Sequence, residues 1–131
     1  MPRYETNGSA GMDLRASEDV VLAPGERKAV ATGLKMAIPV GFEGQVRPRS
    51  GLALRHGLSM VNSPGTIDSD YRGEVKMILI NLGSEVVQFS KGERLGQLVI
   101  CPIARVTLLS VESLEETTRG DGGFGSTGIA G

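Results

Sequence analysis

Cysteine and histidine are nearly missing from this 131-residue chain, each occurring once, as Cys101 and His56. A single cysteine forms no intrachain disulfide, which suits a reducing cytosol and predicts a cytoplasmic protein. Cys101, in LVICP, reads as a small core residue. His56 lies in ALRHGL with no ligand set beside it and reads as a solvated loop residue. No apolar run approaches the roughly 18 residues of a membrane span. The opening MPRYETNGSAG has none of the apolar stretch that a secretion signal needs. Charge of either sign is in no excess: 14 Lys and Arg face 15 Asp and Glu, a formal net of −1. That excludes the basic footprint of a duplex-binding protein, whereas a nucleotide needs only a few local cations. No segment sustains a helical apolar stripe over three turns, and no internal repeat is found.

Glycine is plentiful, at 19 residues, and turn signals punctuate the chain: APG (23–25), PVG (39–41), NSPG (62–65), NLGS (81–84) and SKGE (90–93). Between them lie short runs rich in Val, Ile, Leu and Thr: KAVATGLKMAI, GLSMVN, EVKMILIN, EVVQF, LGQLVICP and RVTLLSV. Many short strands at roughly 8–12-residue spacing predict an all-β sandwich or barrel. The length fits one domain that buries roughly two-thirds of its unfolded surface. Consecutive apolar positions in EVKMILIN predict a strand covered on both faces. SGLALRHG has room for one short helical turn and VESLEETT for another. From Thr117 onward glycine dominates and large apolar residues almost vanish. The expected organisation is a β body over 1–116 and a flexible, Gly-rich C-terminal arm over 117–131.

Within the arm, RGDGGFGSTG (119–128) imitates several phosphate loops and fits none. Gly120, Gly122 and Gly125 match G-x-G-x-x-G, but a dinucleotide turn must open a helix, and only Ile129 to Gly131 follow. Ser126 stands where a P-loop needs lysine. Arg119-Gly120-Asp121 spells an adhesion tripeptide, which chance explains in a chain without a secretion signal. Composition alone favours a disordered end. Yet Arg119, Phe124, Ser126 and Thr127 are an odd set for a linker. Arginine can hold a phosphate, an aromatic can stack on a base, and glycine lets backbone N–H groups approach oxygens closely. Such a tail acts only when it orders over a site built elsewhere.

NSPGTIDSDYRGE (62–74) is the candidate for that site. Apolar strands flank it, which predicts a hairpin connection with turn chemistry at Pro64-Gly65 and Ser69-Asp70. One reading is a polar turn whose aspartates cap the backbone. The other turns on Asp68, which follows Thr66-Ile67, with Tyr71 three residues on. A carboxylate at a strand end could there activate a water beside a stacked ring. RPRSGLAL (47–54) is either a surface loop or an anion grip made by Arg49, Ser50 and the Gly51 backbone.

In order and spacing, five segments resemble the trimeric dUTPase family: AGMDLRA (10–16), RPRSGLA (47–53), NSPGTIDSDYRGE (62–74), KGERLGQLV (91–99) and RGDGGFGSTG (119–128). Met12 stands where the family often has an aromatic or leucine. The resemblance implies an all-β jelly-roll subunit and a homotrimer with three active sites at subunit interfaces. It also implies an arm that reaches onto a neighbour. The activity implied is hydrolysis of dUTP to dUMP and pyrophosphate, which limits uracil incorporation into DNA and supplies dUMP for dTMP synthesis. Mg²⁺ would ride mainly on the triphosphate, with no direct protein ligand. Asp13 would either touch the metal's outer shell or form a structural ion pair with Arg94.

By the same resemblance, Asp68 is the general base for the water that attacks the α-phosphorus. Arg49, Ser50 and Gly51 would bind phosphates, with Gln97 near phosphates and water. Arg119, Gly125, Ser126 and neighbouring backbone would hold the β- and γ-phosphates, and Phe124 would cover the uracil. Asn62 and the backbone at Thr66 and Ile67 would read the base. Tyr71 would pack on the sugar and exclude a 2′-hydroxyl, and Lys76 would add a supporting contact. Two other readings are a dCTP deaminase and a non-catalytic nucleotide sensor or capsid-like jelly roll. The Asp-x-x-Tyr pairing, Gln97 and the arm favour the pyrophosphatase over both.

Overall fold

The computed structural model describes residues 1–130. Alternating burial is what makes these short segments strands. In β1 (Gly11–Arg15), β2 (Val20–Leu22), β3 (Arg27–Ala31) and β4 (Phe42–Arg47), the side chains that face inward are apolar: Leu14, Val20, Leu22, Val30 and Val46. The period of two puts them on one face. β5 (Leu58–Met60), β6 (Gly65–Ile67), β7 (Lys76–Asn81), β8 (Val87–Phe89) and β9 (Arg94–Pro102) continue the pattern. All registered pairs are antiparallel, in sheets ordered β1-β9-β4-β6, β3-β7-β5 and β2-β8.

The sheets share one core. Leu95 and Leu98 of the first meet Met77 and Leu79 of the second, and Leu22 and Phe89 of the third, in a single buried cluster. The architecture is the expected all-β jelly roll. The one helix among the described residues, α1 (Ser50–His56), forms where SGLALRHG allows a helical turn. Gly57 ends it in the left-handed region at φ 67°, which glycine adopts without a Cβ clash.

Several expectations need correction. β7 is not covered on both faces, because Lys76 and Ile78 remain exposed while Met77, Leu79 and Asn81 are buried. VESLEETT forms no helix, and RVTLLSV no strand; both lie in exposed, irregular chain. Val106, Leu108, Leu109 and Val111 have strand-like composition but stay exposed, and a strand needs a neighbour to pair with. His56 lies in the last turn of α1 rather than a loop, with its ring edge-on to Phe89 at 6.0 Å. Cys101 is only half-buried, near the end of β9 and opposite Glu43 of β4, so it is not a core residue.

Asn81 is a polar residue inside this core. Its Nδ2 donates to the Leu22 and Glu85 carbonyls at 3.0 and 2.7 Å, and its Oδ1 accepts from the Gly83 N–H at 2.9 Å. It ties β7 to the β2–β8 pair. Asn81→Ala should leave three backbone groups, one buried and two part-buried, without this partner and cost about 3 kcal/mol. A urea midpoint unchanged from the parent protein would contradict that role.

Candidate active site

β5 and β7 are the apolar strands flanking 62–74, and they pair antiparallel, with Leu58 opposite Asn81 and Met60 opposite Leu79. The connection is therefore the long hairpin loop that the sequence predicts. It adds a strand of its own: β6 pairs with β4, with Gly65 opposite Val46 and Ile67 opposite Gly44. A cis peptide bond joins Ser63 to Pro64. Ile67 is buried, so the next side chain, Asp68, emerges exposed at the strand's end. The Tyr71 N–H then donates to the Asp68 carbonyl at 3.1 Å. Arg72 Nη1 donates to the Ser69 and Tyr71 carbonyls at 2.7 and 3.0 Å. The Asp68-x-x-Tyr71 spacing is thus the span of one hydrogen-bonded β-turn.

Three cavities gather the candidate residues. One of about 230 Å³ lies between the hairpin and the neighbouring strands, and Asn62, Thr66, Ile67, Tyr71 and Lys76 line it. A second, of about 410 Å³, is lined by Arg49, Ser50 and Gln97, with Ser63 and Pro64 of the hairpin root as one wall. Asp68 lines neither. It faces a third space of about 480 Å³ with Asp70, Glu43 and Arg105. Arm residues line none of these three cavities.

Arg49 links the wall of the second cavity to a charge triad that lies behind it. β4 ends at Arg47, and Arg49 opens α1 without a side-chain cap, so no side chain claims the first-turn N–H groups. Asp13 on β1 sits between two arginines: Oδ1 lies 3.3 Å from Arg49 Nε, and Oδ2 lies 3.2 Å from Arg94 Nη1. Arg49 Nη1 also donates to the Arg94 carbonyl at 3.0 Å. The Arg94 pair matches the sequence reading; the Arg49 contact was missed. Only the register could have revealed it, because Gln97 of β9 stands opposite both Asp13 and Arg47 and so brings β1 and β4 to either side. Gln97 Nε2 donates to the Pro48 carbonyl at 3.0 Å. Gly11 leaves space for that side chain, since a Cβ there would stand 2.6 Å from Gln97 Oε1.

The arm stands apart in its bonding. The Ile103 N–H donates to the Gly41 carbonyl at 3.0 Å as the chain leaves β9. Residues 117–128 then form successive turns: Arg119 Nε reaches the Gly122 carbonyl at 2.8 Å, and Ser126 and Gly128 donate to the Gly123 and Gly125 carbonyls. Phe124 is fully exposed at φ 50°, left-handed backbone that a bulky residue rarely adopts. Among the described residues, no group of three His, Cys, Asp or Glu side chains could hold a metal ion.

Comparison with known proteins identifies the family. The dUTPase family model matches residues 1–128. The deoxyuridine 5'-triphosphate nucleotidohydrolase of Anaeromyxobacter sp. (strain Fw109-5) is 65% identical, with 98% of this chain and 87% of that protein covered. The enzyme of the same description from Nautilia profundicola is 53% identical, over 98% and 90%. Among solved structures, Staphylococcus bacteriophage 80alpha dUTPase with dUPNHPP superposes with a TM-score of 0.92 at 30% identity, covering 98% of this chain and 92% of that one. A mutant dUTPase from phage phi11 of S. aureus, described with a structural Mg(II) ion, gives a TM-score of 0.81 at 27% identity, covering 88% and 92%. A match over nearly the whole length, carried by both sequence and fold, places the chain in the dUTPase family.

Proposed function

We propose that the protein hydrolyses dUTP to dUMP and pyrophosphate at a site completed by three copies of the chain. The observation that carries this reading is the separation of the candidate residues within one chain. The hairpin cavity suits a base and sugar, the Arg49 cavity suits phosphates, and the arm is bonded to neither. Packing protomers around a threefold axis would bring one hairpin, a neighbour's Arg49 cavity and a third protomer's arm together.

In that site Asp68 accepts a hydrogen bond from water and takes its proton as the oxygen attacks the α-phosphorus, with pyrophosphate leaving in line. A carboxylate is a weak base, so positioning and charge neutralisation supply much of the rate. Arg49, held at Nε by Asp13, and Ser50 with the first-turn N–H groups of α1 hold phosphate oxygens. Gln97 stands beside them. Arg119, Gly125 and Ser126 close over the β- and γ-phosphates, and Phe124 covers the uracil. Mg²⁺, carried in on the nucleotide, would neutralise part of the triphosphate charge. Asp13 fits at most an outer-shell contact to it, because both of its oxygens already face arginines.

Specificity follows from hydrogen-bond pattern and shape. Uracil presents an acceptor at O4 and a donor at N3, and cytosine reverses both. A base read by Asn62 and the hairpin backbone would leave cytosine with unpaired buried groups, a discrimination of about 10⁴ or more. Such an activity limits uracil incorporation into DNA and supplies dUMP for dTMP synthesis.

The test is a panel of deoxynucleoside triphosphates with Mg²⁺. Pyrophosphate should appear from dUTP and not from dCTP or dTTP, and ¹⁸O from labelled water should enter dUMP. Ammonia from dCTP, label in the pyrophosphate, or an active monomer would overturn the scheme.

A further inference from the structure

Tyr71 is held in place without being packed in. The residue is 45% exposed, yet its side chain folds back across the hairpin, where its hydroxyl donates to the Glu74 carbonyl at 2.9 Å. It can lie there because of the residue beneath it. A Cβ on Gly73 would overlap the Tyr71 hydroxyl and stand 2.5 Å from Cζ and 2.9 Å from Cε2. No two such atoms can coexist, so with any side chain at 73 something must move.

The backbone is the stiffer partner. The Tyr71 N–H is tied to Asp68, and Arg72 clamps the Ser69 and Tyr71 carbonyls. Beyond the turn, the Glu74 carboxylate accepts from the Gly33 N–H at 2.9 Å, and the Val75 N–H donates to the Leu34 carbonyl at 2.8 Å. The ring has solvent on its free side and can swing outward at little cost. Gly73 itself lies outside the left-handed region, so alanine fits its backbone. The three atoms nearest to such a Cβ all belong to the Tyr71 side chain.

We propose that Gly73 is a specificity-determining position: by lacking a Cβ it lets Tyr71 lie flat across the hairpin, at the depth where the ring closes the sugar pocket to a 2′-hydroxyl. This rests on the reading above that Tyr71 packs against the deoxyribose. Gly73 touches no substrate and acts through the position of Tyr71.

The experiment compares kcat/KM for dUTP and UTP in Gly73→Ala, Tyr71→Ala and the double variant. Gly73→Ala should raise UTP use relative to dUTP by about 10–200-fold, the range for a steric contact of this size. Tyr71→Ala should do at least as much. In the Tyr71→Ala background, Gly73→Ala should add nothing, because the ring it displaces is gone. A second readout is optical. The chain has no tryptophan and two tyrosines, Tyr4 and Tyr71, so in a Tyr4→Phe background iodide quenching of fluorescence reports Tyr71 alone. Gly73→Ala should increase it.

The failures separate cleanly. If Tyr71→Ala keeps full discrimination, the reading of Tyr71 falls and this inference with it. If Tyr71→Ala relaxes discrimination and Gly73→Ala does not, the reading stands and the inference fails. If Gly73→Ala is insoluble but the double variant folds, the clash with the ring is supported. If both are insoluble, Gly73 serves the backbone and the inference is overturned.

Discussion

Asp68→Asn should bind nucleotide about as well as the parent protein and turn it over about 10²–10⁴ times more slowly, the range for loss of a general base. The substitution is nearly isosteric, and the side chain is exposed at the end of β6, so no packing is lost. The turn beyond it is closed by the Asp68 carbonyl, which the substitution leaves in place. What changes is proton affinity: an amide can still orient a water but cannot accept its proton. Titration with a non-hydrolysable dUTP analogue should give a Kd within a few-fold of the parent value, while pyrophosphate release gives the depressed kcat. Parent-like turnover would remove Asp68 from the reaction.

Removing everything after Thr118 should leave the fold and the assembly intact and lower kcat at least about 10²-fold, the loss typical of preorganised donors to transferring phosphates. The arm's hydrogen bonds lie within the arm, so its removal exposes no core residue and unpairs no strand. Circular dichroism and light scattering should match the full chain. Mixing subunits sharpens the test. Asp68→Asn protomers carry good arms, and truncated protomers carry good hairpins. If an arm serves a neighbour's site, refolding the two inactive proteins together should regain activity that neither has alone. No recovery at any ratio would mean that each arm closes over its own chain's hairpin.

The strands were legible because turn residues bounded them and each had a partner within the chain. RVTLLSV was misread for the opposite reason: Val106, Leu108 and Leu109 have strand composition, but no strand of this chain pairs with them. Pattern reports what a segment could bury, not what is there to cover it. Ile78 failed in the same way, with strand composition on a face the chain leaves open. Within the candidate site, the juxtaposition of Asp68 and Tyr71 was legible because one turn spans both. The contact of Asp13 with Arg49 was not, since it depends on β9 lying between β1 and β4. The role of Gly73 was hidden more deeply. Its signal is an absent side chain, which gains meaning only when the ring above it is seen.

β9 has one more consequence, for synthesis in the cell. It is the middle strand joining β1 to β4, yet it comes last in chain order among the described strands. At roughly 5–20 residues per second, the ribosome leaves β1 waiting about 4–16 s for the strand it pairs with. During that interval the nascent polypeptide displays unpaired edges and depends on dilution or chaperones to stay free of others like it. The sheet can zip shut only once Arg94–Pro102 has emerged, so a fragment that ends before Arg94 has no route to the native topology.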